Sequence, residues 1–327
     1  MARCCAIIDS ADAGHDNPHH PESHARILNA IKGIPEGVPW ITPEPATAGE
    51  IQQIHDPRYI TWLREYCAAL TTLTFLDADT YITPGSFEAA LHAAGGAVTA
   101  INRSIDGEHA FALIRPPGHH AERSRAMGFC LFNNAAIAAE NALSRVDRVA
   151  IVDWDVHHGN GTQHAFYRTD RVLYCSVHQA GHFPYSGSIE ETGAGHGSGF
   201  TINAPLPAGA EGRDYAGIFS EVFSPAIERF RPGALIVSAG QDILWDDPLG
   251  GMQIQPEDFT PLTSLIARSA GCPLALVLEG GYGPSHGKAI SHIFSGLNQE
   301  PADERACEPQ KVTRKLISLL KKVHSLP

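Results

Sequence analysis

From residue 109 onward the chain repeats one pattern: a short apolar run, a polar break, then a stretch with helical spacing. The runs Ala110–Ile114, Val149–Val152, Val172–Val177, Phe200–Asn203, Ala234–Ala239 and Leu274–Leu278 read as strands, and Cys4–Asp9 reads as an earlier one. Asn133–Leu143, Tyr215–Phe230, Pro256–Ser269 and Val312–Val323 read as helices. A strand that is apolar along its length is buried on both faces, and strands separated by helices pair through crossovers. The pattern predicts an α/β fold with a central, mostly parallel sheet and helices on both faces. The chain has 327 residues, 43% of them hydrophobic, and no Pro/Gly/Ser linker or charge block divides it. Residues 1–327 are therefore expected to form a single domain.

The N-terminal third is less regular. A helix is expected to begin near Ser23 as its cap. Pro35 to Pro45 reads as loop, and Ile51–Leu70 as helical with a break near Asp56-Pro57. A further helix follows Thr83-Pro84-Gly85, with a small-residue face at Ala89, Ala93, Gly96 and Ala100 that permits close approach to a sheet. No apolar run is long enough to span a bilayer, and the N-terminus lacks a signal-peptide core. Seven cysteines without a C-x-x-C pair suggest reduced thiols and a cytoplasmic setting.

In parallel sheets of this kind, ligands bind beyond the carboxyl ends of the strands. The residues just after each apolar run are therefore the candidates for chemistry. Arg115-Pro-Pro-Gly-His-His120 follows one run, and Asp153-Trp-Asp-Val-His-His-Gly-Asn160 follows the next. Gly240-Gln-Asp242 and Glu279-Gly-Gly-Tyr282 follow two more. Asp153, Asp155 and His157 alternate, so extended backbone would turn all three to one face. Carboxylate and imidazole suit Zn²⁺ or a similar divalent ion, and a catalytic site keeps about three protein ligands. Asp155 and His157 supply two, and Asp242 is the best third; the bland alternatives are loop or helix caps. His119 and His120 are candidates for general acid and base work. An Asp153 partner would favour a charged imidazolium, whereas neutral Asn160 would leave its histidine a lower pKa. Tyr282 could donate to a developing oxyanion from a flexible glycine loop. Gly128-Phe129 and Phe183 could line a narrow channel, or simply pack.

The formal net charge of −12 argues against phosphate-backbone binding and suits a cationic peptide or amine. Direct nucleic-acid and membrane partners are not expected. The 18 histidines cluster at His15–His24, His119–His120 and His157–His164.

Seven segments also carry a resemblance: His20-Pro-Glu22 with Arg26, Asp77–Tyr81, Arg115–His120, Gly128–Cys130, Asp153–Asn160, Ser238–Asp242 and Glu279–Tyr282. In this order they resemble the zinc-dependent histone deacetylases, of the arginase–deacetylase fold, over nearly the whole chain. Trp154, Asn160 and Gly195–Pro205 are similar to the class II branch and its bacterial and archaeal histone-deacetylase-like amidohydrolases. The resemblance implies Zn²⁺ on Asp155, His157 and Asp242, and His120 as the main general base and acid. His119, paired with Asp153, would serve electrostatics and orientation, and Tyr282 would bind the scissile carbonyl oxygen. Gly128 would face the acyl-lysine amide, and Phe129 and Phe183 its methylene stem. Asp153 and Ser176 look like an inner monovalent-cation site, for K⁺, and Phe166, Thr169 and Val172 like a second. Some class II members carry His at the Tyr282 position and deacetylate acetyl-lysine poorly; this chain keeps Tyr. An acidic gatekeeper of the polyamine-selective branch aligns with Leu249, which is apolar here. The expected activity is removal of acetyl or longer acyl groups from the lysine ε-amine. The alternatives are an acetylpolyamine deacetylase and a catalytically silent acyl-lysine binder.

Overall fold

The computed structural model describes residues 3–299 and 308–327. Along the chain the strands are β1 (Arg3–Ile8), β2 (Trp40–Ile41), β3 (Thr74–Phe75), β4 (Tyr81–Ile82), β5 (Glu108–Leu113), β6 (Val149–Asp153), β7 (Val172–Gln179), β8 (Thr201–Leu206), β9 (Ala234–Ala239) and β10 (Leu274–Leu278). β3 and β4 form a small antiparallel hairpin. The other eight form one sheet in the order β2-β1-β5-β10-β9-β6-β7-β8. Every pairing in it is parallel, so the sheet is wholly rather than mostly parallel.

The helices are α1 (His24–Ile31), α2 (Ala48–Gln52), α3 (Pro57–Ala69), α4 (Ser86–Ile105), α5 (Asn134–Ala142), α6 (Asn160–Phe166), α7 (Gly212–Ile218), α8 (Ser224–Phe230), α9 (Phe259–Ala270), α10 (His286–Leu297) and α11 (Lys311–Val323). Side chains alternate across each strand and build two cores. In β6, Ala150 and Val152 pack with residues of α7 to α11, while Val149 and Ile151 pack with α3, α4 and α5. β9 and β10 divide the same way, which is why their sequences are apolar without a break.

α4 uses its small residues as expected. A Cβ on Gly96 would stand 2.7 Å from Ile114 Cγ2, and one on Gly95 would stand 1.9 Å from the Glu44 carbonyl oxygen. Gly95→Ala is expected to lower stability by about 1–3 kcal/mol through overpacking. That loss opposes the roughly 1 kcal/mol that Ala gains over Gly inside a helix. An unchanged or raised Tm would mean that the Glu44–Ala46 segment yields freely.

Several expectations need correction. The stretch Tyr215–Phe230 is two helices, joined by a π turn over Phe219–Phe223. Pro225 has no N–H, and its ring crowds the carbonyl four residues back, so the preceding turn widens. The predicted Phe200–Asn203 strand runs from Thr201 to Leu206. Trp40–Ile41 pairs with β1 at the sheet edge, inside the stretch read as loop. Ser23 stands at the start of α1 without capping it; Asp16 Oδ1 accepts the His24 N–H instead, at 2.6 Å. α10 was not anticipated. Asp56 does cap α3 through the Arg58 N–H (2.8 Å), with Pro57 at the first helical position.

Candidate active site

The four strands whose ends carry polar clusters, β5, β10, β9 and β6, are neighbours in the middle of the sheet. Their loops meet above the carboxyl edge. Asp155, His157 and Asp242 converge there, their ligand atoms all within 4.8 Å of one another. His157 Nδ1 lies 3.1 Å from Asp155 Oδ1 and 3.2 Å from Asp242 Oδ2. The strand itself ends at Asp153, so backbone alternation does not aim the next two residues. The carboxylates shape the loop instead: Asp153 Oδ1 accepts the Asp155 N–H (3.2 Å), and Asp155 Oδ1 accepts the His157 N–H (2.9 Å). Asp153 consequently does not join the ligand group. Its Oδ2 meets His119 Nδ1 at 3.1 Å and accepts the Tyr174 hydroxyl at 3.0 Å.

Three observations fit this group to a divalent cation. Asp242 Oδ2 is buried with no hydrogen-bond partner among the described residues. Burial and the nearby Asp155 carboxylate push Asp242 up to about 8. For His157 burial acts downward, but the carboxylates of Asp155 and Asp242 beside it outweigh burial and lift the ring to about 9. Protons thus gather where a cation would relieve the crowded negative charge. Backbone leaves room for one: a Cβ on Gly280 would stand 2.0 Å from Asp242 Oδ2, and one on Gly240 would stand 2.1 Å from Asp155 Oδ2.

The paired histidines stand beside the group, their ring centroids 4.0 Å apart. Burial opposes charge on both, and their partners separate them. Asp155 and Asp153 lift His119 well above its ordinary value despite burial. Burial, with His119 and His157 close by, drives His120 well below. The Nδ1 of His120 meets only the neutral amide oxygen of Asn160, at 2.7 Å. One histidine is therefore set to be cationic and the other neutral, the division expected of acid–base pairs. The channel leading to them has a volume of about 200 Å³, and Gly128, Phe129, Phe183, Leu249 and Tyr282 are on its wall.

Comparison with known proteins bears on what this arrangement belongs to. Residues 17–297 match the histone deacetylase domain. A histone deacetylase-like amidohydrolase of Pseudomonas aeruginosa is 38% identical over 309 residues, which covers 90% of this chain and 80% of that protein. The chain belongs to the histone deacetylase family. A probable deacetylase of Methanothermobacter thermautotrophicus is 38% identical over 307 residues, 91% of this chain and 92% of that one. The crystal structure of an HDA15 HD domain matches with a TM-score of 0.92 at 30% identity, covering 99% of this chain and 95% of the other. Membership makes this chain a deacetylase-type amidohydrolase with an acylated substrate.

Other groups hold this deacetylase site in shape, and their parts were not legible one by one. Glu279 Oε2 accepts the N–H groups of Gly118 (2.7 Å) and His119 (3.1 Å), tying the histidine loop to the end of β10. Asp247 Oδ2 accepts the N–H groups of Tyr282 (2.6 Å) and Gly283 (2.9 Å). The Arg26 guanidinium lies 4.8 Å from the Tyr282 ring centroid and donates to Gly281 O at 3.1 Å. The glycine loop expected to be flexible is therefore pinned on both sides of Tyr282. Behind it, Arg115 grips the Glu22 carboxylate with two hydrogen bonds, at 2.9 and 2.8 Å. His182 stacks on His157, their centroids 4.9 Å apart, which no sequence signal indicated. Ser176 faces Asp153 across adjacent strands, with its hydroxyl 2.9 Å from His178 Nδ1. At the second expected cation site, the Phe166 carbonyl accepts the Thr169 N–H at 3.2 Å. No described helix is long and apolar enough to cross a membrane.

Proposed function

We propose that residues 1–327 act as one catalytic domain that hydrolyses the amide between an acyl group and a lysine ε-amine. The observation that carries this reading is the pairing of the Asp155–His157–Asp242 group with two oppositely tuned histidines at the end of a narrow, aromatic channel. Asp155, His157 and Asp242 would hold Zn²⁺. When bound, Zn²⁺ supplies Lewis acidity that polarises a carbonyl and lowers the pKa of water. His120 takes a proton from the attacking water as oxygen bonds to the amide carbon. The Tyr282 hydroxyl donates to the carbonyl oxygen as negative charge builds there. His119, held by Asp153, stays cationic and stabilises that charge. The C–N bond then breaks as His120 returns its proton to the amine nitrogen, giving acid and amine, and the acid's proton passes to the amine so that they leave as carboxylate and ammonium. Gly128 faces the amide, and Phe129 and Phe183 flank the methylene stem. K⁺ at Asp153 and Ser176, with neighbouring carbonyls, belongs to the same reading as a structural ion. So does a cytoplasmic setting, supported by free cysteines at Cys4, Cys5, Cys67, Cys130, Cys175 and Cys272.

A small acylated amine is the second reading. Asp79 on the channel wall favours it, because a carboxylate there could meet a second ammonium. Leu249 on the same channel opposes it. A competition assay separates the two, setting acetyl-, longer-acyl- and trifluoroacetyl-lysine peptides against N-acetylated polyamines, with a chelator control. Acyl-lysine turnover abolished by the chelator is the expected result. Turnover of polyamines alone would overturn the substrate class and keep the chemistry. No turnover by zinc-loaded protein would leave a silent acyl-lysine binder.

A further inference from the structure

We propose that Glu122 is a positioning residue for His120, acting through Asn160 to fix which imidazole nitrogen carries the proton. The proposal rests on the reading of His120 as the general base. A carboxylate partner, such as Asp153 beside His119, presents an acceptor whichever way it turns. An asparagine does not: one end of its amide accepts and the other donates. With the amide oxygen toward His120, Nδ1 must donate and Nε2 keeps its lone pair as the ring's basic atom. With the amide reversed, the NH₂ group would force the proton onto Nε2, and no basic nitrogen would remain for the substrate. Asn160 alone cannot choose between these states.

Glu122 makes the choice. The chain folds back two residues after His120 through the Glu122–Arg125 bridge. That brings Glu122 Oε1 to 2.6 Å from Asn160 Nδ2. A carboxylate accepts only, so the NH₂ end is held on this side. The same nitrogen donates to the His120 carbonyl at 3.4 Å and contacts Met127 Sδ at 3.6 Å. The opposite end is left 2.7 Å from His120 Nδ1. Glu122 is itself held from outside: His164 Nδ1 meets its two oxygens at 2.7 and 2.8 Å. Asn160 and His164 are four residues apart on α6, so one helix face presents both groups to the carboxylate.

The test uses full-length, zinc-loaded Glu122→Ala and Glu122→Gln, with His120→Ala as reference. For Glu122→Ala, kcat is expected to fall roughly 10–100-fold with KM and metal content little changed, the usual cost of losing an outer-layer partner. The ¹⁵N resonances of the His120 ring, assigned against His120→Ala at alkaline pH, should change from the Nδ1–H form to a mixture. Glu122→Gln keeps an accepting oxygen and should recover most of the rate and the Nδ1–H form. If Glu122→Ala keeps both its rate and the Nδ1–H form while His120→Ala is inactive, the proposal is overturned and the general-base reading stands. If His120→Ala is active, the general-base reading falls, and the ring resonances of Glu122→Ala still decide whether Glu122 sets the tautomer.

Discussion

Tyr282→Phe is expected to lower kcat by roughly 10²–10³-fold, the usual cost of removing one donor from an oxyanion site. Metal content and Tm should stay where they are. The substitution deletes one hydroxyl and leaves everything that places the ring. Phe129 packs edge-on against it, with centroids 5.8 Å apart, Arg26 lies over its face, and Asp247 holds its backbone N–H. Those contacts survive in Phe. Burial raises the phenol well above its ordinary value; Arg26 acts in the opposite direction, and the carboxylates of Asp242 and Asp155 add to the rise. The hydroxyl is thus a proton-bearing donor across the working pH range, and its titration gives the rate no alkaline limb. Steady-state kinetics beside metal analysis checks the prediction. A rate within a few fold of the parent protein would remove Tyr282 from the mechanism.

The site was legible because its residues are costly where they stand. A polar or charged cluster directly after an unbroken apolar run must be explained, and four such breaks occur after β5, β6, β9 and β10. What the residues could not disclose was that these strands are neighbours, since the crossovers can arrange them in many orders. The Glu22–Arg115 pair was hidden for a related reason: 93 residues separate its members, and neither motif names the other as its partner. α10 was missed because Gly-Pro-Ser and a glycine in its first turn argue against a helix. In the fold that glycine serves close approach: a Cβ on Gly287 would stand 2.5 Å from the Asn29 carbonyl oxygen in α1. Tertiary packing against α1 and α9 there overrides helix propensity. The alternation of Asp153, Asp155 and His157 pointed to the right place by an incomplete argument. The strand stops at the first of them, and hydrogen bonds to the loop backbone aim the other two.

Removing the metal is expected to abolish turnover, and the stability lost on removal should grow with pH. The sign follows from two groups. Metal-free Asp242 titrates near 8 in the folded protein, against about 3.9 in an unfolded chain. The folded state therefore holds an extra proton, and its penalty increases as pH rises between those values. His157 titrates near 9 when folded, against about 6.5 unfolded. Its contribution is complete below the unfolded value and is lost as pH rises through the folded one. Asp155, held low by His119 and His157 against the effect of burial, is ionised throughout that range. Both shifts thus destabilise the metal-free protein from about pH 6.5 to about pH 8, and His157 alone continues to about pH 9. A bound divalent cation neutralises the carboxylates and keeps His157 unprotonated, so the loaded protein escapes this loss. At a free metal concentration a hundredfold above Kd, the stabilisation is about 2.7 kcal/mol, and Kd itself tightens as the ligands shed their protons. Thermal unfolding of dialysed and zinc-loaded protein at about pH 6 and about pH 9 measures the difference. A gap in Tm that is wider at the higher pH, and absent in Asp242→Ala, is the expected result. A gap that stays constant, or narrows with pH, would mean that Asp242 and His157 are not where the metal binds.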